Sequence, residues 1–243
     1  MEKKPAKVEE VLKLDYSKPE EIGLTQQKTL RKLVGVLGML LPILLGAFLF
    51  FVDGHWEPLD SISHYYFTRS NGLFIIIVSL LAIFLMVYKG KDPIDFYISF
   101  VAGIFALCLL LFPTSNLSQS CCDANMTYAV TFLGENNIRV IFHYVASGIF
   151  LFSLACMSIF IFTKSDKTEN ARGQKKRRRN RVYRTCGVIM ILAMVVLLGG
   201  PLGLIPDYMF TTYKLTFWME VVALESFGFS WMVKGEMFLK DGR

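Results

Sequence analysis

Six long apolar runs constrain this chain more than any other feature of its sequence. A run of about 20 apolar residues crosses the hydrocarbon core of a bilayer as one helix. The sequence therefore predicts an all-α fold, a polytopic membrane bundle of six transmembrane helices, with an N-terminal arm at 1–32, a membrane domain at 33–233 and a tail at 234–243. The six predicted spans lie at about 33–52, 71–88, 96–113, 137–163, 185–206 and 214–233.

The lysines and arginines predict which way the bundle faces. Of the 26 basic residues, 23 lie in the arm, in the 89–95 link, in the 164–184 link or in the tail, and only Arg69, Arg139 and Lys214 lie on the other side. Because short cytoplasmic loops are enriched in basic residues, both termini are predicted to be cytoplasmic. The predicted location is a cell membrane, specifically a bacterial inner membrane, with a multi-pass topology.

The positive charge also predicts partners. The net charge is +6, and the basic residues are concentrated beside the ends of the predicted spans. Such residues attract anionic lipid headgroups, so the Lys175–Arg184 loop is expected to contact them. No basic surface with interleaved aromatic residues accompanies it, which argues against nucleic-acid binding. Membrane lipids are the expected partners, and a homo-oligomer is an open alternative.

One predicted outer link, Asp53–Ser70, contains the polar stretch DSISHYYFTRS. Two ionisable residues, His143 and Glu220, share a depth of about 9 Å inside their spans, since each lies six residues beyond the start of its helix. Ionisable groups in a span need polar partners. We therefore expect a hydrogen bond between these two, with the polar stretch folded over them as a lid. The candidate ligand-binding pocket consists of Asp60, Ser61, Ser63, His64, Tyr65, Tyr66, His143 and Glu220.

A structural alternative explains part of the same stretch. Ser70 is placed to cap the helix that follows it, and Tyr65 and Tyr66 fit the aromatic belt of a membrane interface. Capping and the belt do not account for the two ionisable residues within the spans. Both interpretations of the stretch therefore remain open on the sequence alone.

The fifth predicted span ends in LLGGPLGLIP, where two glycines, Pro201 and Pro206 interrupt helical hydrogen bonding. The link after it, Asp207–Tyr213, is predicted to be a tight turn. Glu225 lies near mid-membrane in the sixth span. It needs a proton or a polar partner, for which the break at Gly199–Pro201 is a candidate.

Three motifs carry a family resemblance: SISHYY before span two, FHYVASGIFLFSLA in span four and WMEVVALESFGFSWMVKG in span six. The chain resembles a family of uncharacterised bacterial six-span membrane proteins and is more distantly similar to the DRAM/Sfk-like superfamily, over about residues 30–235. The resemblance implies the six-span topology and matches Ser61, Ser63, His143 and Glu220. Several members of that superfamily are associated with lipid handling or membrane trafficking. This chain departs from the pattern in having a histidine and two tyrosines after the serines.

Three functions stay open on the sequence. The first is an integral membrane protein whose outer pocket binds a lipid headgroup or a small polar ligand. The second is a metal-dependent membrane hydrolase similar to ceramidases, with Asp60, His64 and His143 as zinc ligands. Those enzymes have a His-x-x-x-His pair in a late span that this chain lacks, so no metal and no cofactor is expected. The third is a transporter or channel lined by Glu220, Glu225 and the interrupted span.

The second predicted outer link, Thr114–Asn136, leaves two points open. Cys121 and Cys122 are adjacent in it, and a direct disulfide between neighbours is disfavoured by geometry. Asn116 and Asn125 both fit the acceptor pattern for N-glycosylation.

Overall fold

The structure is a computed structural model that describes residues 19–90, 92–118, 127–165 and 173–239, with side chains from residue 27 onward. Its α-helices, in chain order, are α1 (Pro19–Asp53), α2 (Asn71–Val87), α3 (Pro93–Leu111), α4 (Asn137–Cys156), α5 (Gln174–Gly199), α6 (Asp207–Thr211) and α7 (Leu215–Lys234). A 3-10 helix covers Ile62–Phe67, and α4 continues into a π-helical turn, Met157–Ile161.

The apolar helices identify an integral membrane protein and confirm the all-α class. Four helical segments in the described residues are long and apolar enough to cross a membrane: Gln27–Asp53, Pro93–Leu111, Asn137–Ile161 and Gln174–Gly199. Helix α2 is apolar but has only 17 residues. Helix α7 has 20 residues, and two glutamates interrupt its apolar sequence.

The long helices pack as a ring. Each of α1 to α4 contacts the next helix in the chain, and α7 closes the ring between α5 and α1. Helices α1 and α7 touch through glycine: a Cβ atom added to Gly228 would lie 2.6 Å from the carbonyl oxygen of Gly35. Only small residues allow two helix backbones to approach this closely. The first and last helices are therefore joined tightly at this crossing.

The two ends of the ring differ. At one end, here named the loop end, the 3-10 helix lies across the helix termini, and Ser70 Oγ–H donates to the carbonyl of Leu45 at 2.9 Å. At the other end, named the basic end, Lys164 pairs with Asp92 at 2.5 Å and with Asp95, whose side chain is buried. Ser70 precedes α2 as predicted, but its hydroxyl bonds to α1 instead of capping α2.

Helix boundaries at the basic end differ from the sequence predictions. Helix α1 begins at Pro19, inside the predicted arm 1–32, so residues 19–32 continue the first helix. The predicted loop Lys175–Arg184 is helical and forms the first turns of α5. Lysine and arginine are good helix formers, which explains why a strongly charged segment extends a membrane helix.

The fifth span also ends earlier than predicted. Helix α5 stops at Gly199, and the backbone N–H groups of Leu204 and Ile205 turn back to the Gly199 carbonyl at 2.8 and 3.1 Å. Gly203 has a φ of 68°, a conformation that favours glycine. The link to α7 therefore runs from residue 200 to 214 and contains α6, so the predicted tight turn at Asp207–Tyr213 is wrong.

Candidate functional site

Glu220 connects α7 to the 3-10 helix at the loop end. Its Oε2 atom accepts a hydrogen bond of 2.6 Å from the backbone N–H of Ile62, the first residue of the 3-10 helix. The first N–H groups of a helix lack partners within it, so the carboxylate satisfies one of them. Two further bonds secure the same contact: Phe217 N–H donates to the Asp60 carbonyl at 3.1 Å, and Lys214 pairs with the Asp60 carboxylate at 2.5 Å.

His143 occupies a similar role at the end of α3. Its Nδ1–H donates to the carbonyl of Phe112 at 2.8 Å, and Phe112 directly follows the last residue of α3. The last carbonyls of a helix are left unpaired within the helix, so the imidazole satisfies one of them. The expected hydrogen bond between His143 and Glu220 is therefore wrong, because each side chain serves a backbone group at a different helix end.

His64 lies between two serines. Its Nδ1 atom is 2.7 Å from Ser61 Oγ, and its Nε2 atom is 3.5 Å from Ser115 Oγ in the second link. The imidazole thereby joins the 3-10 helix to the segment that follows α3. Ser115 was not among the predicted site residues, and the sequence places it 51 positions away with no motif to connect the two.

The surroundings of His64 keep it uncharged. Burial lowers the pKa of His64 to about 4, against the opposing influence of the Asp60 carboxylate. The positive charge of Lys214 lowers the pKa further. At neutral pH the ring is therefore neutral and offers no positive charge to an anionic headgroup.

The structure brings together five of the eight predicted site residues, which we name the polar cluster: Ser61, Ser63, His64, His143 and Glu220. Asp60 is more exposed and is held by its ion pair. Tyr65 is buried toward α1, where a Cβ atom on Gly46 would lie 3.7 Å from its hydroxyl. Tyr66 turns toward α2, with its ring centroid 6.5 Å from that of Phe74.

The cavity next to Ser63 and Glu220 of the polar cluster is small. A cavity of about 60 Å³ lies beneath the 3-10 helix, and its polar walls are Ser63, Ser147 and Glu220, with aliphatic and aromatic side chains around them. This volume holds a few water molecules but no lipid headgroup. Within the polar cluster, Glu220 and His143 bond to backbone groups at helix ends, and His64 joins the 3-10 helix to the segment after α3.

The metal-ligand set of the hydrolase alternative does not converge. Among the described residues, no three histidine, cysteine or acidic side chains are placed to hold a metal ion. Asp60, one of the three residues considered, pairs with Lys214 instead.

In the second link, both polar atoms of the Asn116 amide bond to the backbone of Leu133, at 2.7 and 3.0 Å. Cys121, Cys122 and Asn125 lie outside the described residues.

A larger opening lies on the side of the ring, between α1 and α7 near the loop end. This lateral groove has a volume of about 520 Å³. It exists because α1 presents small residues there and because Pro42 and Gly46 leave its surface shallow. Of the predicted site residues, Tyr65 alone lines it. Its lining includes Pro42, Gly46, Trp56, Glu57, Trp218 and Glu225.

Glu225 faces the lateral groove. The predicted contact with the Gly199–Pro201 break is wrong, since α7 presents this carboxyl toward α1. Within the described residues, its side chain makes no hydrogen bond or ion pair. It lies ten residues beyond the start of α7, which corresponds to about 15 Å along the helix axis.

Comparisons with known proteins add nothing to this geometry: no family model, no curated protein and no solved structure matches the chain. The resemblance to the bacterial six-span proteins and to the DRAM/Sfk-like superfamily stays a prediction.

Proposed function

We propose that this protein spans the membrane six times, with its loop end outward and both termini cytoplasmic, and binds a membrane lipid in the lateral groove. The topology is supported by the distribution of basic residues, of which 23 of 26 fall on the side of the termini. The ring supports α2 and α7 as spans, because both pack along neighbours that are long enough to cross the bilayer.

The observation that carries the lipid proposal is the size and position of the lateral groove. Its volume of about 520 Å³ falls within the range of small-molecule sites, whereas the cavity beneath the 3-10 helix is about 60 Å³. The groove opens sideways between the first and last helices, toward the position of the bilayer. A lipid reaches it without entering water.

The walls of the groove suit an acyl chain below a headgroup. Pro42 and Gly46 form a shallow apolar floor on α1, and Trp56 and Trp218 stand near the loop end, at the depth where tryptophan favours the membrane interface. Burial of a methylene group stabilises by about 0.8 kcal/mol relative to water, but a chain leaving lipid gains only the better packing of a fitted wall. Selective binding therefore depends on shape, and a change of shape tests it.

The test fills the groove from its floor. Gly46→Leu places a side chain in the groove, where a Cβ atom would meet only the Tyr65 hydroxyl at 3.7 Å. Gly148→Leu is the matched control, because a Cβ atom there meets nothing within 4 Å and Gly148 does not line the groove. Native mass spectrometry of protein purified in mild detergent counts the retained phospholipid. We expect wild type and the control to keep one lipid that Gly46→Leu loses.

Two readouts keep this test decisive. The thermal midpoint of each variant shows whether the fold is intact, so a loss of lipid in a folded Gly46→Leu protein supports the groove. Equal retention by all three proteins contradicts lipid binding at this site.

The topology has its own test. The native cysteines are replaced, and a single cysteine is introduced at Gly134 or at Gly173. A Cβ atom has open space at both positions. A thiol reagent that does not cross membranes should label residue 134 on intact cells and residue 173 only after lysis. The opposite pattern would reverse the proposed orientation.

A further inference from the structure

The charge of the lateral groove points to one class of headgroup. Among the described residues that line it, Glu57 and Glu225 are acidic and none is lysine or arginine. Glu57 is exposed at the loop end, in the chain segment that follows α1, while Glu225 lies deeper along α7. The mouth of the groove therefore offers a negative charge at headgroup depth.

Two basic side chains of the loop end, Arg69 and Lys214, have acidic partners. Arg69 pairs with Asp53, Nε to Oδ1 at 2.8 Å, and the Asp53 side chain is 8% exposed. Lys214, one turn before Trp218, pairs with Asp60 at 2.5 Å. Each cation has an acidic partner of its own, so neither is free to cancel the charge of Glu57.

Aromatic rings complete the mouth. Trp56 is 75% exposed and Trp218 is 49% exposed, and both line the groove. The face of an indole ring attracts an ammonium group, and tryptophan is the best of the aromatic side chains for this contact. A nearby carboxylate adds direct attraction to the same cation. Exposed rings next to an unneutralised carboxylate form a site that fits an ammonium group and repels an anion.

We propose that the lateral groove selects phospholipids whose headgroup carries an ammonium group, as in phosphatidylethanolamine and phosphatidylcholine. It selects them over phospholipids whose headgroup carries only negative charge, such as phosphatidylglycerol. This inference rests on the proposed lipid binding and names the class of lipid that is bound. Glu57 attracts the ammonium group, the tryptophans contact it through their ring faces, and the acyl chain lies along Pro42 and Gly46.

The experiment is a competition in nanodiscs that contain equal amounts of phosphatidylethanolamine, phosphatidylcholine and phosphatidylglycerol. Protein is released into mild detergent, and native mass spectrometry reads the composition of the lipid that stays bound. We expect wild type to retain the two ammonium lipids about tenfold over phosphatidylglycerol, relative to the bulk. Glu57→Gln should reduce this preference to about twofold. Trp218→Leu should weaken it in the same direction.

Glu135→Gln is the matched control, since Glu135 is an exposed acid of the second link that does not line the groove. It should leave the preference as in wild type. Retention of ethanolamine lipid alone would still support the inference and narrow it to a primary ammonium group. A bound fraction with the bulk composition, or a preference unchanged in Glu57→Gln, overturns the headgroup assignment while leaving lipid binding in place. Failure of Gly46→Leu to lose lipid overturns lipid binding itself.

Discussion

The crossing of α1 and α7 gives the most direct test of the fold, through the substitution Gly228→Ala. A Cβ atom at this position would lie 2.4 Å from Cγ of Met39 and 2.6 Å from the carbonyl oxygen of Gly35. The methionine side chain can move aside, but the carbonyl belongs to the backbone of α1. The new methyl group is therefore accommodated only if the two helices separate.

The magnitude follows from two opposing effects. Overpacking a tight contact costs about 1–3 kcal/mol, and contact with backbone favours the upper part of that range. Alanine in place of glycine returns about 1 kcal/mol of helix propensity. Gly148→Ala in α4 isolates this second effect, because its Cβ atom meets nothing within 4 Å. We expect Gly228→Ala to be less stable than Gly148→Ala by about 2–3 kcal/mol.

The assay is thermal unfolding in detergent, followed by circular dichroism or by fluorescence of a thiol-reactive dye. For a chain of this size, 1 kcal/mol corresponds to roughly 2–4 °C, so the two midpoints should differ by roughly 4–12 °C. A midpoint for Gly228→Ala equal to or above that of Gly148→Ala would show that α1 and α7 do not meet at these glycines. The lateral groove, which the same two helices form, would then lose its structural basis.

Three further predictions concern ionisable groups. Burial lowers the pKa of His64 to about 4, so the unfolded chain binds more protons than the folded chain between pH 6.5 and 4. The free energy of unfolding should therefore fall by on the order of 2–3 kcal/mol as the pH is lowered through this range. His64→Gln should make the melting temperature less dependent on pH over the same range. A hydrophobic carbodiimide should modify Glu225, which faces the groove, and spare Glu220, which is bonded to a backbone amide; equal modification in peptide mass spectra would contradict an open groove. Asp95→Asn should cost about 1–3 kcal/mol because its side chain is buried against a lysine, whereas Asp92→Asn, at an exposed partner of the same lysine, should cost less than about 1 kcal/mol in the same melting assay.

The sequence predicted helix starts well at the loop end, where a polar link meets an apolar run. Helices α2 and α4 begin at Asn71 and Asn137 as expected, and α7 begins at Leu215, one residue later. The end of α5 was misplaced because PLGLIP is apolar in composition although its glycine and prolines break the helix. Apolar content reports burial in lipid, and it does not report whether the backbone stays helical.

The sequence predicted that the lid folds against α7, and the bond from Ile62 to Glu220 shows that contact. It did not predict the hydrogen-bond partners of Glu220 and His143. The actual partners are the amide of Ile62 and the carbonyl of Phe112, and backbone groups carry no signature in the sequence. The lateral groove was missed entirely. Its available signal was the pair of small residues Gly46 and Ala47, four to five positions after Pro42 in α1, since small residues mark where a helix face stays shallow.

The short length of α2 has a consequence for the membrane itself. Its 17 residues rise about 26 Å, against a hydrocarbon core of about 30 Å, and α1 beside it has 35 residues. Under the proposed topology, lipids along the α2 face compress to cover a shorter apolar wall, at a fraction of a kcal/mol for each Å of mismatch. This strain is lower in a thin bilayer, and it is also lower when two thinned zones merge. The protein should therefore favour thin membrane regions, and two copies should associate through their α2 faces.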